Sequence, residues 1–132
     1  MLRFITKETV IKIHDDQIRL YGGLYGVRDS GLLDSAVNTP KAQFGGRFLH
    51  PMIHQMAAAY LFHLCQNHPF IDGNKRVARM VMITFLRRNR LVSTASEFDY
   101  YYVTKEVANG KMSKQQVADW LETAIIDTLL LS

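Results

Sequence analysis

The most informative segment of the chain is His68-Pro69-Phe70-Ile71-Asp72-Gly73-Asn74-Lys75-Arg76, followed by Val77-Ala78-Arg79. Pro69 disfavours helical geometry at the residue before it, and Asp-Gly-Asn consists of residue types that are common in turns. The apolar run after this turn predicts a helix that begins at Asn74. Residues 68–73 are therefore predicted to form a loop between two helices.

Three cationic side chains, Lys75, Arg76 and Arg79, lie close to the predicted start of that helix. The positive end of a helix dipole disfavours Lys and Arg by a few tenths to about 1 kcal/mol each. Their spacing also places all three on one side of the helix, where they repel one another. A bound anion would relieve both penalties, and free amide groups beside Gly73 would add donors. This pattern favours a phosphate site over a merely solvated basic face, although the spacing of a P-loop is missing.

The titratable residues of the stretch each have a structural and a chemical interpretation. His68 is either a loop-stabilising residue at the helix exit or a general base for a hydroxyl group, and the adjacent phosphate site favours the base. Asp72 is either a helix cap or a ligand of a magnesium ion shared with phosphate oxygens. Phe70 and Ile71 are predicted to anchor the loop in the core.

Outward from the loop, helical periodicity predicts a compact all-α fold of about six helices, forming a single domain over residues 1–132. Two central buried helices flank the loop, one from Pro51 to about Asn67 and one from Asn74 to about Asn89. The other helices are predicted at Lys7–Tyr21, Gly31–Asn38, Glu97–Ala108 and Ser113–Leu130, with Thr6 and Ser113 as N-caps. Residues 41–50 contain Gly45-Gly46 and are predicted to be a loop or short hairpin. The inward faces are expected to include Val10, Ile13, Leu20 and Tyr21 in the first helix, and Trp120 and Leu129 in the last.

Composition limits the classes of protein to which the chain can belong. With 48% hydrophobic residues in 132, the chain can bury a real core, and the net charge of +4 permits acidic partners without selecting one. The single cysteine, Cys65, excludes an intrachain disulfide, and no apolar run is long enough to span a membrane. We therefore expect a cytoplasmic protein.

Two other patterns are weaker. His50 and His54 lack the glutamate of an H-E-x-x-H zinc helix, so a metal pair is not expected. The tyrosines at 100–102 and the basic residues at 87–90 suggest nucleic-acid contact, but such groups more often serve helix cores and helix ends. Direct binding of nucleic acid is thus a minor alternative.

The motif His-x-Phe-x-Asp-Gly-Asn-Lys-Arg at 68–76 resembles the signature of the Fic/Doc superfamily. The lysine after asparagine is similar to the death-on-curing (Doc) toxin branch of that superfamily. The upstream residues 27–36, with Pro40 and Phe44-Gly45-Gly46, also resemble this branch, so the resemblance covers nearly the whole chain.

The resemblance implies a toxin of a toxin-antitoxin system that uses ATP and Mg²⁺. A Doc-like enzyme transfers the gamma-phosphoryl group to a threonine hydroxyl of an EF-Tu-like translation factor and so blocks translation. By matching, the catalytic residues would be His68, Asp72, Lys75 and Arg76, with His68 abstracting the hydroxyl proton and Asp72 holding Mg²⁺. The nucleotide would bind to Gly73, Asn74, Lys75, Arg76 and Arg79.

Arg79 departs from the Doc pattern, because it matches the second arginine of AMP-transferring Fic proteins. A Fic-type protein adenylyltransferase is therefore the alternative function, and a non-catalytic module that binds nucleotide or nucleic acid is a further one. Lys75 should obstruct the Fic nucleotide pose, which favours phosphoryl transfer. The inhibitory Fic motif [ST]-x-x-x-E-[GN] is approached only by Ser93 and Glu97, but Phe98 follows the glutamate. We therefore expect inhibition by a separate Phd-like antitoxin, whose helix binds a groove of this chain.

Overall fold

The computed structural model describes residues 1–131 and is predominantly helical, as the all-α prediction states. Its helices are α1 (Lys7–Tyr21), α2 (Ser30–Asn38), α3 (Ile53–Asn67), α4 (Asn74–Arg88), α5 (Glu97–Ala108) and α6 (Lys114–Thr123). Two antiparallel strand pairs accompany them, β1 (Gln43–Phe44) with β2 (Arg47–Phe48) and β3 (Leu91–Ser93) with β4 (Ile125–Asp127). Short 3₁₀ turns lie at Thr39–Lys41 and Thr128–Leu131. Over residues 1–131, no helix has both the length and the apolar character needed to cross a bilayer.

Local capping sets most helix boundaries. The hydroxyls of Thr6 and Ser113 accept hydrogen bonds from the amides of Thr9 and Gln116, as expected for N-caps. Ser96 caps α5 in the same way. Gly22, with a positive φ of 85°, ends α1. These short-range signals explain why the predicted bounds of α1 and α5 agree with the structure.

Helices α3 and α4 form the centre of the molecule, as predicted. The buried side chains of α3 are Met56, Ala57, Ala58, Ala59, Tyr60, Leu61, Leu64 and Cys65, and they cover most of its circumference. The alanines let neighbouring helices approach closely, and α3 packs against α2, α4, α5 and α6. The Tyr60 hydroxyl accepts a hydrogen bond from the Ile5 amide at 2.9 Å, which ties the N-terminal segment to this core. The loop that joins α3 to α4 is thereby attached at both ends to the two central, buried helices.

The predicted last helix is too long. It ends at Thr123, and Ile125–Asp127 pairs with Leu91–Ser93 in antiparallel register. The amide of Thr94 donates to the Ala124 carbonyl at 2.7 Å, so the chain leaves the helix to meet a strand that precedes α5. The expected burial of Leu129 is accordingly wrong, because this side chain is exposed.

The inward face of α1 also differs from the prediction. Leu20 and Tyr21 are exposed, whereas the buried residues are Val10, His14 and Ile18. These three follow one another at intervals of four residues and form one helical stripe. The stripe was missed because its central residue is a histidine, which does not count as apolar.

Candidate active site

His68 lies just beyond the end of α3, as predicted, in a left-handed conformation with φ 49° and ψ 54°. Arg28 holds this corner: its Nε donates to the His68 carbonyl at 2.6 Å and its Nη2 to the Asn67 carbonyl at 2.9 Å. The Pro69 carbonyl accepts from the amides of Arg28 and Asp29, at 2.7 and 3.0 Å. The bonds from the Arg28 side chain satisfy carbonyls that the end of α3 leaves without partners. The segment before α2 therefore fixes the backbone that carries the imidazole.

Asn74 joins the two ends of the loop through its buried side chain. Its Oδ1 accepts from the Phe70 amide at 2.9 Å, and its Nδ2 donates to the Phe70 carbonyl at 2.9 Å and lies 3.0 Å from His68 Nδ1. Because the Phe70 amide can only donate, the orientation of the Asn74 amide is determined. His68 Nδ1 therefore accepts, and the proton of the neutral ring is on Nε2.

Only one of the two apolar residues that are predicted to anchor the loop is buried. Phe70 is fully buried and stacks on the ring of His14, with centroids 3.9 Å apart and planes 6° from parallel. Ile71 is 50% exposed, so the prediction that it also anchors the loop is wrong. The physical reason is alternation: Phe70 forms a bridge with Val27 and points inward, and the next side chain points outward.

Asp72 is held by backbone donors from two sides. Its Oδ2 accepts from the Leu24 amide at 3.0 Å, and its Oδ1 accepts from the Gly73 amide at 2.8 Å. These hydrogen bonds, first that from Leu24, hold the pKa of the carboxyl below its ordinary value, and the charge of Arg76 acts in the same direction. The N-cap of α4 is Gly73, without a side-chain cap, so Asp72 is not the helix cap of the structural interpretation. It is a carboxylate kept charged at the cavity.

The N-terminus of α4 is open toward an anion. The amides of Asn74, Lys75 and Arg76 occupy its first turn, where a helix supplies no internal acceptor, and no side chain caps them. Gly73 precedes them with a left-handed φ of 74°, a conformation that suits glycine. Positive dipole, free donors and the charges of Lys75 and Arg76 thus converge, as the sequence predicts for a phosphate site.

Six of the predicted site residues line one cavity of about 490 Å³: His68, Asp72, Gly73, Asn74, Lys75 and Arg76. Cys65, Gln66 and Ala108 also line this cavity. Burial raises the pKa of the Cys65 thiol to about 12, although Lys75 opposes the shift, so this cysteine is not a thiolate nucleophile. The volume is in the range of small-molecule sites.

Arg79 does not join these six residues. It forms an ion pair with Glu97 at the start of α5, and its guanidinium carbon lies 5.2 Å from the centre of the Tyr100 ring. It lines a separate cavity of about 470 Å³ on the α1 side of α4. Arg76 lies between the two cavities, where its Nη2 donates to the Gly22 carbonyl at 3.0 Å. The repulsion expected among the three cations is therefore relieved by protein acceptors for the two arginines.

Several residues that support the site were missed from sequence, namely His14, Gly23, Leu24 and Arg28. His14 is 1% exposed, and its Nε2 lies 2.7 Å from the Asp72 carbonyl oxygen. A Cβ added at Gly23 would lie 2.6 Å from Asp72 Oδ2, so a glycine is required there for the close approach. For His14, the available signal in the sequence was its position midway between Val10 and Ile18 on one helical stripe. The others depend on contacts between residues 39 or more positions apart.

The remaining histidines do not gather into a cluster of potential metal ligands within residues 1–131. His54 lies 3.3 Å from a Glu122 carboxylate oxygen, and no cluster of three or more His, Cys, Asp or Glu within residues 1–131 has the geometry to hold a metal ion.

Comparison with known proteins matches residues 4–86 to the Fic/DOC family. The chain is 46% identical over 79 residues to Toxin Doc of Mycolicibacterium smegmatis, an alignment that covers 60% of this chain and only 60% of that relative's length. It is also 32% identical over 120 residues to Protein kinase doc of Escherichia phage P1, covering 91% of this chain and 94% of the phage protein. Both relatives carry the name that the motif at 68–76 suggested.

Proposed function

The chain belongs to the Fic/Doc family, and from that premise we propose that it is a Doc-like toxin with protein phosphotransferase activity. In this proposal it transfers the gamma-phosphoryl group of ATP to a threonine hydroxyl of an EF-Tu-like translation factor. The observation that carries the proposal is the cavity at the uncapped start of α4, lined by His68, Asp72, Lys75 and Arg76. The names of the two relatives support a toxin of the kinase type.

Phosphate binding is proposed for the first turn of α4. The amides of Asn74, Lys75 and Arg76 would donate to phosphate oxygens, with Lys75 as a mobile point charge and Arg76 as a bidentate donor. Arg76 would exchange its bond to the Gly22 carbonyl for these charged contacts. The side chain of Asn74 is already bonded at both its oxygen and its nitrogen, so we assign its nucleotide contact to the backbone.

The donor set also fits Mg²⁺. Protein-bound Mg²⁺ usually takes one or two carboxylates together with substrate phosphates and water, and Asp72 is a charged carboxylate at the cavity. Each of its oxygens keeps a lone pair beyond the bond to Leu24 or Gly73. When bound, the ion would neutralise charge that develops on the phosphates.

His68 is proposed to accept the proton of the target hydroxyl. This role requires a free lone pair on the nitrogen that faces the target, whereas the Asn74 contact leaves the proton of the neutral ring on Nε2. Base action at Nε2 therefore requires the tautomer with a proton on Nδ1, and the Asn74 contact must be exchanged when the target binds. Because phosphoryl transfer depends chiefly on positioning, orienting the hydroxyl is as important as removing its proton.

Adenylyl transfer is the second candidate, because Arg79 matches the corresponding Fic position. Its ion pair with Glu97 outside the cavity favours a structural role for this arginine and lessens the support for AMP transfer. A binding module without catalysis is less favoured, since His68, Asp72 and Lys75 all line the cavity. We also propose a cytoplasmic location and control by a separate Phd-like antitoxin, whose helix would bind this basic chain.

The decisive experiment incubates the purified chain with EF-Tu and Mg²⁺, using ATP labelled in either the alpha or the gamma phosphate. Phosphotransfer predicts gamma label on EF-Tu, loss of label with His68→Ala, and full activity of His54→Ala, a matched control outside the cavity. Alpha label without gamma label would identify an adenylyltransferase instead. Absence of both labels, together with harmless expression of the chain in bacteria, would refute the enzyme and toxin proposals.

A further inference from the structure

A buried histidine of α1 lies directly under the motif loop. His14 is 1% exposed, and the other buried polar side chains within residues 1–131 include Asn74, which fastens the same loop from the opposite end. Burying a polar group in a core is costly unless it forms a hydrogen bond. An apolar residue at this point of the α1 stripe would fill the space without that cost, so the imidazole needs a specific explanation.

The polar contact of His14 is directional. Its Nε2 lies 2.7 Å from the Asp72 carbonyl oxygen, and since that oxygen can only accept, Nε2 must donate. The other nitrogen, Nδ1, lies 3.9 Å from Asp15 Oδ1, beyond a normal hydrogen bond. His14 thus fixes the peptide that links Asp72 to Gly73, the N-cap residue of α4.

The same ring holds the loop at a second point. It stacks in parallel on Phe70, with centroids 3.9 Å apart. A Cβ added at Gly73 would lie 3.7 Å from His14 Nε2 and 3.3 Å from Ile18 Cδ1, so α1 is in close contact with the loop there as well. Residues 70–73 are therefore seated on one face of α1.

We propose that His14 is a positioning residue, which sets the backbone of residues 70–73 and thereby aims the Asp72 carboxylate and the first amides of α4 at the cavity. The expected effect of His14 on catalysis rests on the proposed function. Its effect on the structure of the loop does not, because the hydrogen bond and the ring stack constrain the loop whatever reaction follows. His14 itself does not line the cavity and is not assigned a contact to substrate.

Two substitutions separate the donor from the ring. His14→Phe keeps an aromatic ring to stack on Phe70 and removes the donor, whereas His14→Gln keeps a donor near the Nε2 position and removes the ring. If the hydrogen bond is the positioning element, His14→Phe should retain its thermal midpoint but lose about tenfold to a hundredfold in kcat, with a smaller change in KM for ATP. His14→Gln, which keeps the donor, should retain most of the wild-type kcat.

Hydrogen exchange of the ligand-free chain provides the readout that does not depend on activity. In His14→Phe, the hydrogen-bonded amides of Ile71, Gly73 and Val77, which lie in and just after the loop, should exchange faster than in the wild type, while those of α6 stay unchanged. His14→Gln should restore slow exchange. Wild-type exchange and kcat in His14→Phe would overturn the proposal, and so would faster exchange throughout the chain in both variants, which indicates packing alone. If the wild type transfers no label, the proposed function fails, but the exchange comparison still decides the role of His14.

Discussion

Replacement of Gly23 by alanine tests whether the segment after α1 is part of the site. Gly23 has a φ of +122°, and a Cβ there would lie 2.6 Å from Asp72 Oδ2, 3.0 Å from Ile18 Cδ1 and 3.1 Å from Arg76 Nη2. Its neighbour Gly22 also has a positive φ, +85°, but a Cβ there would meet nothing within 4 Å. Gly22→Ala is therefore a matched control that adds the same methyl group one position earlier.

The two variants should differ in function more than in stability. Each variant forces a non-glycine residue into a positive-φ conformation, which lowers the free energy of unfolding by on the order of 1–3 kcal/mol. For a chain of this length, each kcal/mol lost lowers the thermal midpoint by about 3–5 °C. Gly23→Ala must in addition move Asp72, Arg76 or its own backbone, since 2.6 Å is shorter than real Cβ contacts allow. A displacement near 1 Å at reacting groups can lower a rate by about a hundredfold.

The assay combines thermal unfolding, calorimetric binding of ATP with Mg²⁺, and transfer of gamma label to EF-Tu. Gly22→Ala should unfold several degrees earlier than the wild type and retain binding and transfer at a temperature where it is folded. Gly23→Ala should bind ATP with Mg²⁺ at least tenfold more weakly and transfer about a hundredfold more slowly. Equal binding and transfer by the two folded variants would refute the claim that Gly23 positions Asp72 and Arg76.

Three further perturbations probe other contacts. Burial, together with a nearby lysine, lowers the pKa of His63 to about 4, so the folded chain keeps this ring neutral while the unfolded chain protonates it below about pH 6.5. Stability should therefore decrease as pH falls from 6.5 toward 4, and His63→Gln should flatten that decrease in urea unfolding; an unchanged pH profile would contradict this. Arg28→Ala removes two hydrogen bonds at the end of α3 and should cost roughly 1–2 kcal/mol and about tenfold in transfer through His68, with Arg28→Lys intermediate. Arg79→Ala should leave the KM for ATP within about twofold of wild type, whereas Arg76→Ala should raise it about tenfold or more. A larger increase in Arg79→Ala than in Arg76→Ala would show that Arg79, and not Arg76, binds the phosphates.

Much of the fold follows from signals that act over a few residues. Thr6 and Ser96 accept hydrogen bonds from amides three positions later, and Gly22 ends α1 with a conformation few other residues adopt. The hairpin around Gly45-Gly46 is equally local. The pairing of Leu91–Ser93 with Ile125–Asp127 was not predictable in this way, because its partners lie more than 30 positions apart and the apolar pattern after Thr123 also fits a helix.

The site, like the fold, combines features set by neighbouring residues with features set by distant ones. The chemical groups of the site follow from the sequence, because His68, Asp72, Lys75 and Arg76 occur in one loop and one helical turn, where their spacing brings them together. The contacts that hold these groups, and the choice of which of them share a cavity, depend on how distant segments pack together. His14 and Leu24 contact Asp72 from 58 and 48 positions earlier in the chain, and Arg79 pairs with Glu97 outside the cavity. The physical reason is range: caps, turns and helix dipoles act within a few residues, whereas the direction of a side chain depends on the donor or charge that packing places beside it.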